Sequence, residues 1–201
     1  MRESLRRKKT YIMRARPADN VKLFSGIIAP DKNSLDETIT ALTEMFGAID
    51  IKSEIIPFDF TEYYADEMGK NLLRQFVAFE KLISPDEIAD IKLKTNALEE
   101  QMGSAENGAL KRRVNIDPGY IAPSKVVLAT AKDFSHRVYL GQGIYGEVTF
   151  GFKKKGGLAF FDWTFPDFRS GKYDDFFIKT RERLMKGGKE SLAERAEDAE
   201  R

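Results

Sequence analysis

Cysteine is absent from the 201 residues, and histidine occurs once, at His136. Disulfides, thiolate zinc sites, Fe–S clusters and cysteine nucleophiles are thereby excluded, and so is a metal centre built from several histidines. No haem site is expected either. A metal here has to be held by oxygen, which favours magnesium, calcium or manganese. No apolar run reaches spanning length and no signal-peptide core is present, so the expected setting is soluble and cytoplasmic, with no membrane partner. Lys and Arg number 33 against 32 Asp and Glu, and a formal charge of +1 gives no strong long-range pull toward nucleic acid.

Two sequence devices are also missing. Gly103 and Gly108 have the gap of a phosphate-binding loop, but Ala109 and Leu110 follow where Lys and a hydroxyl residue are needed, and no GxGxxG follows a strand. A Ser, His, Asp triad would have to recruit His136, and no GxSxG supplies the nucleophile, which excludes serine hydrolase chemistry.

What is there is globular: 42% hydrophobic residues, among them 15 Phe. Residues 1–20 form a basic arm, with Arg2, Arg6, Arg7, Lys8, Lys9, Arg14 and Arg16 against Glu3 alone. It is read either as a contact for RNA or anionic lipid, or as an unstructured terminus with Met13 as the alternative first residue. Residues 21–186 are read as a single α+β domain and 187–201 as a charged tail.

Val21 to Ala29 is a nearly continuous apolar run, the pattern of a buried central strand. Ser34 with Glu37 reads as a capping box opening a helix that Gly47 stops. Ile49 to Phe58 alternates as a half-buried strand, and Gln75 to Ile83 is another. Ser84, Pro85 and Glu87 open a second helix that Gly103 ends, and residues 103–111 read as a loop. Arg113 to Tyr120 reads as a short strand running into a turn made of Asn115, Asp117, Pro118 and Gly119. The order is βαββαβ, the ferredoxin-like order, extended by a C-terminal hairpin, a further strand and a terminal helix. Ser124 to Ala131 is open between helix and strand. The hairpin joins Arg137–Leu140 to Ile144–Phe152 through Gly141, Gln142 and Gly143, with Leu140 opposite Ile144, Tyr139 opposite Tyr145 and Arg137 opposite Glu147. Val138, Val148, Phe150 and Phe152 are expected on its core face. Leu158 to Phe165 is the further strand, and a helix from about Lys172 to Lys186 ends at Gly187 and Gly188.

Ionisable candidates fall near strand ends. Asp117, Glu147 and His136 are the catalytic candidates, for acid and base work, with Asp117 and Glu147 also the candidate metal ligands. Lys132, Arg137 and Arg169 are placed on phosphate, Tyr63 or Tyr64 on a base, and Glu67, Asn115 and Asp167 complete the ligand set. Each has a plainer alternative. Asn115 and Asp117 can bond their own turn, Arg137 and Glu147 can be a cross-strand pair, His136 can be a satisfied core residue beside Val138, and Tyr63, Tyr64 and Met68 can form a helix face.

The words FDFTEYYADEMG, NIDPGY, KVVLATAKDFSHRVYLGQGIYGEVTF and WTFPDF resemble a prokaryotic family, the domain of unknown function four-four-one-six, over roughly Val21 to Lys186. Its motif words add Tyr139, Tyr145 and Thr164 to the candidate set, and some members carry an automatic label of GTP-binding protein. The expected function is binding, or turnover, of a phosphorylated small molecule or nucleotide, with magnesium as a companion ion. Two other readings stand beside it. One is an RNA-binding module using exposed sheet aromatics such as Phe76, Phe79 or Tyr139, and the other is a scaffold that binds a protein partner.

Overall fold

A computed structural model of the chain describes residues 15–106, 109–154 and 156–199. β1 (Val21–Ala29) is buried along its whole length. Leu23 and Ile27 join a core that includes Leu35, Leu42, Ile88 and Leu98 of the helices α1 (Lys32–Phe46) and α3 (Ile88–Met102), introduced here with α2 (Ala65–Met68). Phe24 joins a second core with Phe76, Phe150, Phe168 and Phe177, built by α4 (Pro166–Arg169) and α5 (Asp174–Ala199). A strand read as nearly all apolar is therefore covered on both faces.

The remaining strands are β2 (Ile49–Lys52), β3 (Ile56–Phe58), β4 (Leu72–Ile83), β5 (Ser104–Glu106), β6 (Ala109–Lys111), β7 (Asn115–Ile121), β8 (Lys125–Thr130), β9 (Val138–Gly141), β10 (Ile144–Phe152) and β11 (Leu158–Phe160). They form an antiparallel sheet in the order β11-β10-β8-β7-β1-β4-β2, with β3 also on β4 and β9 also on β10, while β5 and β6 pair apart. Because both faces are packed, Phe76 and Phe79 are fully buried and cannot serve as exposed sheet aromatics. No helix among the described residues is long and apolar enough to cross a membrane.

Several sequence expectations change. The cap of α1 is Asp31, whose Oδ1 accepts from the Ser34 N–H at 2.8 Å and the Ser34 hydroxyl at 3.0 Å, while Glu37 pairs with Arg113 at 2.9 Å. Residues 49–58 break into β2 and β3, because pairing with β4 moves from Lys52↔Val77 to Ile56↔Arg74 and an extra residue has to bulge out. The loop 103–111 contains β5 and β6. Residues 124–131 resolve as a strand, β8. The expected strand to Phe165 stops at Phe160, and α5 runs through Gly187 and Gly188 to Ala199.

The hairpin keeps Tyr139↔Tyr145 but places Ile144 opposite Gly141 rather than Leu140. Its turn carries positive φ at Gly141, Gln142 and Gly143. A bulge between Val148 and Phe150 sends those two side chains to opposite faces. Phe150 reaches the core, Val138 is 69% exposed and Val148 is exposed as well, so the common apolar face expected for the hairpin does not form.

The largest change is at NIDPGY. These residues are not a turn but a strand in the interior of the sheet, β7, paired with β1 from Asn115↔Ile28 to Ile121↔Lys22. Gly119 serves close packing there, and the gap in the sheet that Pro118 tolerates makes the site.

Candidate functional site

β7 and β8 are paired only over Gly119–Ile121 against Val126–Leu128. Before that point β7 stays on β1, while β8 continues along β10 as far as Thr130↔Tyr145. The sheet thus opens between its seventh and eighth strands, and a cleft of about 820 Å³ occupies the opening. Its walls come from the Phe58–Glu67 connection, α3, the end of β8 and the start of α4.

Opening a sheet strands backbone polar groups, which side chains of α3 satisfy here. The Ile116 N–H donates to Glu99 Oε1 at 2.6 Å, and Lys92 Nζ donates to the Ile116 carbonyl at 2.8 Å. Antiparallel alternation turns Pro118 the same way as Ile116, so the residue without an N–H lies where β8 does not reach.

Burial raises the Glu99 carboxyl above the usual carboxylate range, against the opposing pull of Lys92 and the Ile116 N–H. The sign follows: between the ordinary value near 4.5 and the raised one, the folded chain holds a proton that the unfolded chain does not, so stability falls as pH rises through that window. Glu99→Gln keeps an acceptor for Ile116 and removes the titration. Urea unfolding of both proteins from acid to neutral pH is expected to show the variant gaining on the wild type as pH rises. A constant difference would remove Glu99 as the cause.

The floor is built on Arg74 of β4. Its guanidinium lies 4.7 Å from the Phe76 ring centroid, 5.2 Å from Phe168, 5.3 Å from Phe58 and 5.5 Å from Tyr173. It bonds Asp167 at 2.6 Å and stands 3.6 Å from Asp117. Gly26 leaves the space for it, since a Cβ there would lie 3.1 Å from the Arg74 Nη2 and 2.8 Å from Phe76. Burial raises the Asp167 carboxyl in spite of Arg74, and pushes the Tyr173 phenol up to about 12.

At the mouth, Arg112 clasps Glu67 through two hydrogen bonds of 2.6 and 3.0 Å and reaches Asn115 Oδ1 at 3.3 Å. The first of these contacts lowers the Glu67 carboxyl. Lys132 donates to the Tyr63 hydroxyl at 2.9 Å, and that hydrogen bond, with the ammonium charge, lowers the Tyr63 phenol. On the β10 side Glu147 Oε2 accepts from Arg137 at 2.9 Å and meets His136 Nε2 at 2.9 Å.

A family model described as Domain of unknown function (DUF4416) matches residues 19–184. The chain belongs to the DUF4416 family. No curated protein matches it. No solved structure matches it either. Every residue that lines the cleft of this DUF4416 domain lies inside the matched range.

Of the residues singled out from sequence, Tyr63, Tyr64, Glu67, Asn115, Asp117, Lys132, Arg137, Glu147 and Asp167 all line the cleft. The others do not line the cleft. His136 lies behind Glu147 with its ring stacked on Trp163, at 5.4 Å between centroids. Tyr139 and Tyr145 pack together on the hairpin, 5.3 Å apart, and the Tyr139 hydroxyl accepts the Gly143 N–H. Thr164 Oγ1 accepts the Phe161 N–H and donates to the Thr149 carbonyl, and Arg169 donates to the carbonyls of Phe161 and Asp162. No group of three or more His, Asp or Glu side chains among the described residues converges on a metal position, and Asp117 and Glu147 each face an arginine.

Sequence reasoning missed Arg74, Lys92, Glu99 and Arg112. A signal existed for two of them: Lys92 and Glu99 fall on the helix face that carries Ile88 and Ile91, where a charge is costly unless paired.

Proposed function

We propose that the DUF4416 cleft binds a small phosphorylated molecule of nucleotide or sugar-phosphate size, presented by a ferredoxin-like core formed of β1, α1, β2, β3, β4, α3 and β7. The observation that carries this reading is a set of partnerless buried polar atoms on cleft-lining side chains, Arg74 Nε, Asn115 Nδ2 and Glu147 Oε1. Asn115 Nδ2 and Glu147 Oε1 belong to side chains that are 5% and 1% exposed, and neither atom has a hydrogen-bond partner in the protein. Buried polar atoms are satisfied as a rule, so donors and an acceptor without partners beside one cleft point to a polar ligand. The cleft volume lies within the range of roughly 300–1,000 Å³ common for small-molecule sites. The aromatic rings of Phe60, Tyr63, Tyr64 and Phe165 offer stacking surfaces beside the cationic mouth. Magnesium enters this reading as a companion of the phosphate rather than as a resident ion.

A melting-curve screen of the purified protein against nucleotides, sugar phosphates and inorganic phosphate, each with and without magnesium and with short RNA alongside, tests it. A ligand at a hundred times its dissociation constant stabilises the fold by about 2.7 kcal/mol. At least one phosphorylated compound is expected to raise the midpoint. A response to RNA alone, or to nothing, overturns the reading.

A further inference from the structure

We propose that the cleft has two chemically distinct ends, and that its substrate class is a phosphate ester of a polyhydroxylated molecule, held with the phosphate at the mouth and the hydroxyl groups on the floor. This rests on the phosphorylated-ligand reading and goes further by fixing the ligand's polarity and orientation.

The charges divide by depth. On the floor the cations are already committed: Arg74 to Asp167 and Asp117, Arg137 to Glu147, and Lys92 to the Ile116 carbonyl beside Glu99. What remains open there is acceptor capacity at Glu147 Oε1 and the half-buried Asp117 carboxylate, together with two neighbouring donors, Asn115 Nδ2 and Arg74 Nε. A phosphate dianion beside Asp117, Glu147 and Asp167 would meet like charge in a low-dielectric site, whereas a hydroxyl can donate to a carboxylate and accept from the Asn115 amide. The mouth has the opposite character. Lys132 is exposed and spends only one of its three donors, on Tyr63, while Arg112 on the same side is held by Glu67, so Lys132 is the cation with donors to spare. The Lys132 hydrogen bond, with its ammonium charge, lowers the Tyr63 phenol. A phosphate there gains charge-assisted hydrogen bonds and remains in contact with water.

Titration calorimetry with two matched pairs, ribose 5-phosphate with ribose and adenosine 5′-monophosphate with adenosine, tests the assignment. The wild type is expected to hold the phosphorylated member of each pair tenfold or more tighter. Lys132→Ala, at an exposed position, erases that preference and leaves the unphosphorylated members unchanged. Asp117→Asn, which leaves Arg74 its bond to Asp167, weakens both members of a pair by the same factor. Because that variant can perturb the floor, 2-deoxyribose 5-phosphate is titrated into the wild type as well, and is expected to bind about tenfold more weakly than ribose 5-phosphate. Equal losses for both members in Lys132→Ala, or no penalty for the missing hydroxyl, overturn the orientation while the phosphorylated-ligand reading stands. If none of the compounds binds, both fall together.

Discussion

Arg74→Ala is expected to destabilise the fold by about 3–5 kcal/mol, the cost of removing one partner from a buried ion pair. Asp167 is buried and its bond of 2.6 Å to Arg74 compensates its charge, so the variant leaves a buried carboxylate without its cation. Asp117 loses its cation as well. Denaturant unfolding measures the effect. Adding Asp167→Asn to Arg74→Ala removes the uncompensated charge and is expected to recover part of the loss. If the second substitution makes matters worse by its full single-variant cost, the two residues do not act as a pair. Against a typical stability of about 5–15 kcal/mol, the single-variant loss is a large fraction of the total.

Gly119→Ala is expected to be comparably damaging, for a reason unrelated to turn conformation. A Cβ at Gly119 would lie 2.4 Å from the Val127 carbonyl oxygen and 2.7 Å from Phe24 Cζ. The oxygen belongs to the backbone of β8, in the short ladder that closes the inner end of the cleft, and Phe24 is held edge-on by Phe177 at 5.3 Å. Neither neighbour can move without displacing a strand or a core ring. Overpacking ordinarily costs about 1–3 kcal/mol, and backbone contact places this site at or beyond the upper end. The predicted outcome is a protein that unfolds at much lower denaturant or accumulates insoluble. A variant with wild-type stability would contradict the close approach of β7 and β8.

The same residue shows where sequence reading succeeds and where it fails. Apolar runs marked β1 and β4 because burial on both faces leaves a local signature, and the Ser84, Pro85, Glu87 box is visible because its contacts lie within one turn. Pro118 and Gly119 read as a turn because such residues usually make one. Here their reasons are distant in sequence: a gap in the sheet spares Pro118 an N–H, and Phe24 lies about a hundred residues away against Gly119. Asn115, Asp117, Lys132, Arg137 and Glu147 were found together because strand ends concentrate polar groups, although nothing local shows that they share a cleft. Arg74 escaped notice inside an apolar strand, and Arg112 acquires its meaning from Glu67, which is 45 positions upstream. The exposure of Val138 depends on a bulge in the opposite strand, which alternation cannot register.

The most direct test of the central claim is a melting curve of Asn115→Leu beside the wild type, each with and without the compound that the screen identifies. Leucine fills the volume of the asparagine side chain and removes the partnerless Nδ2 at the expense of one long contact to Arg112. Replacing an unpartnered buried polar group by an apolar one is close to neutral or stabilising. The free variant is expected to be at least as stable as the wild type and to have lost the ligand-induced rise in midpoint. A variant that unfolds early, or one that keeps the full response to ligand, would place the site elsewhere.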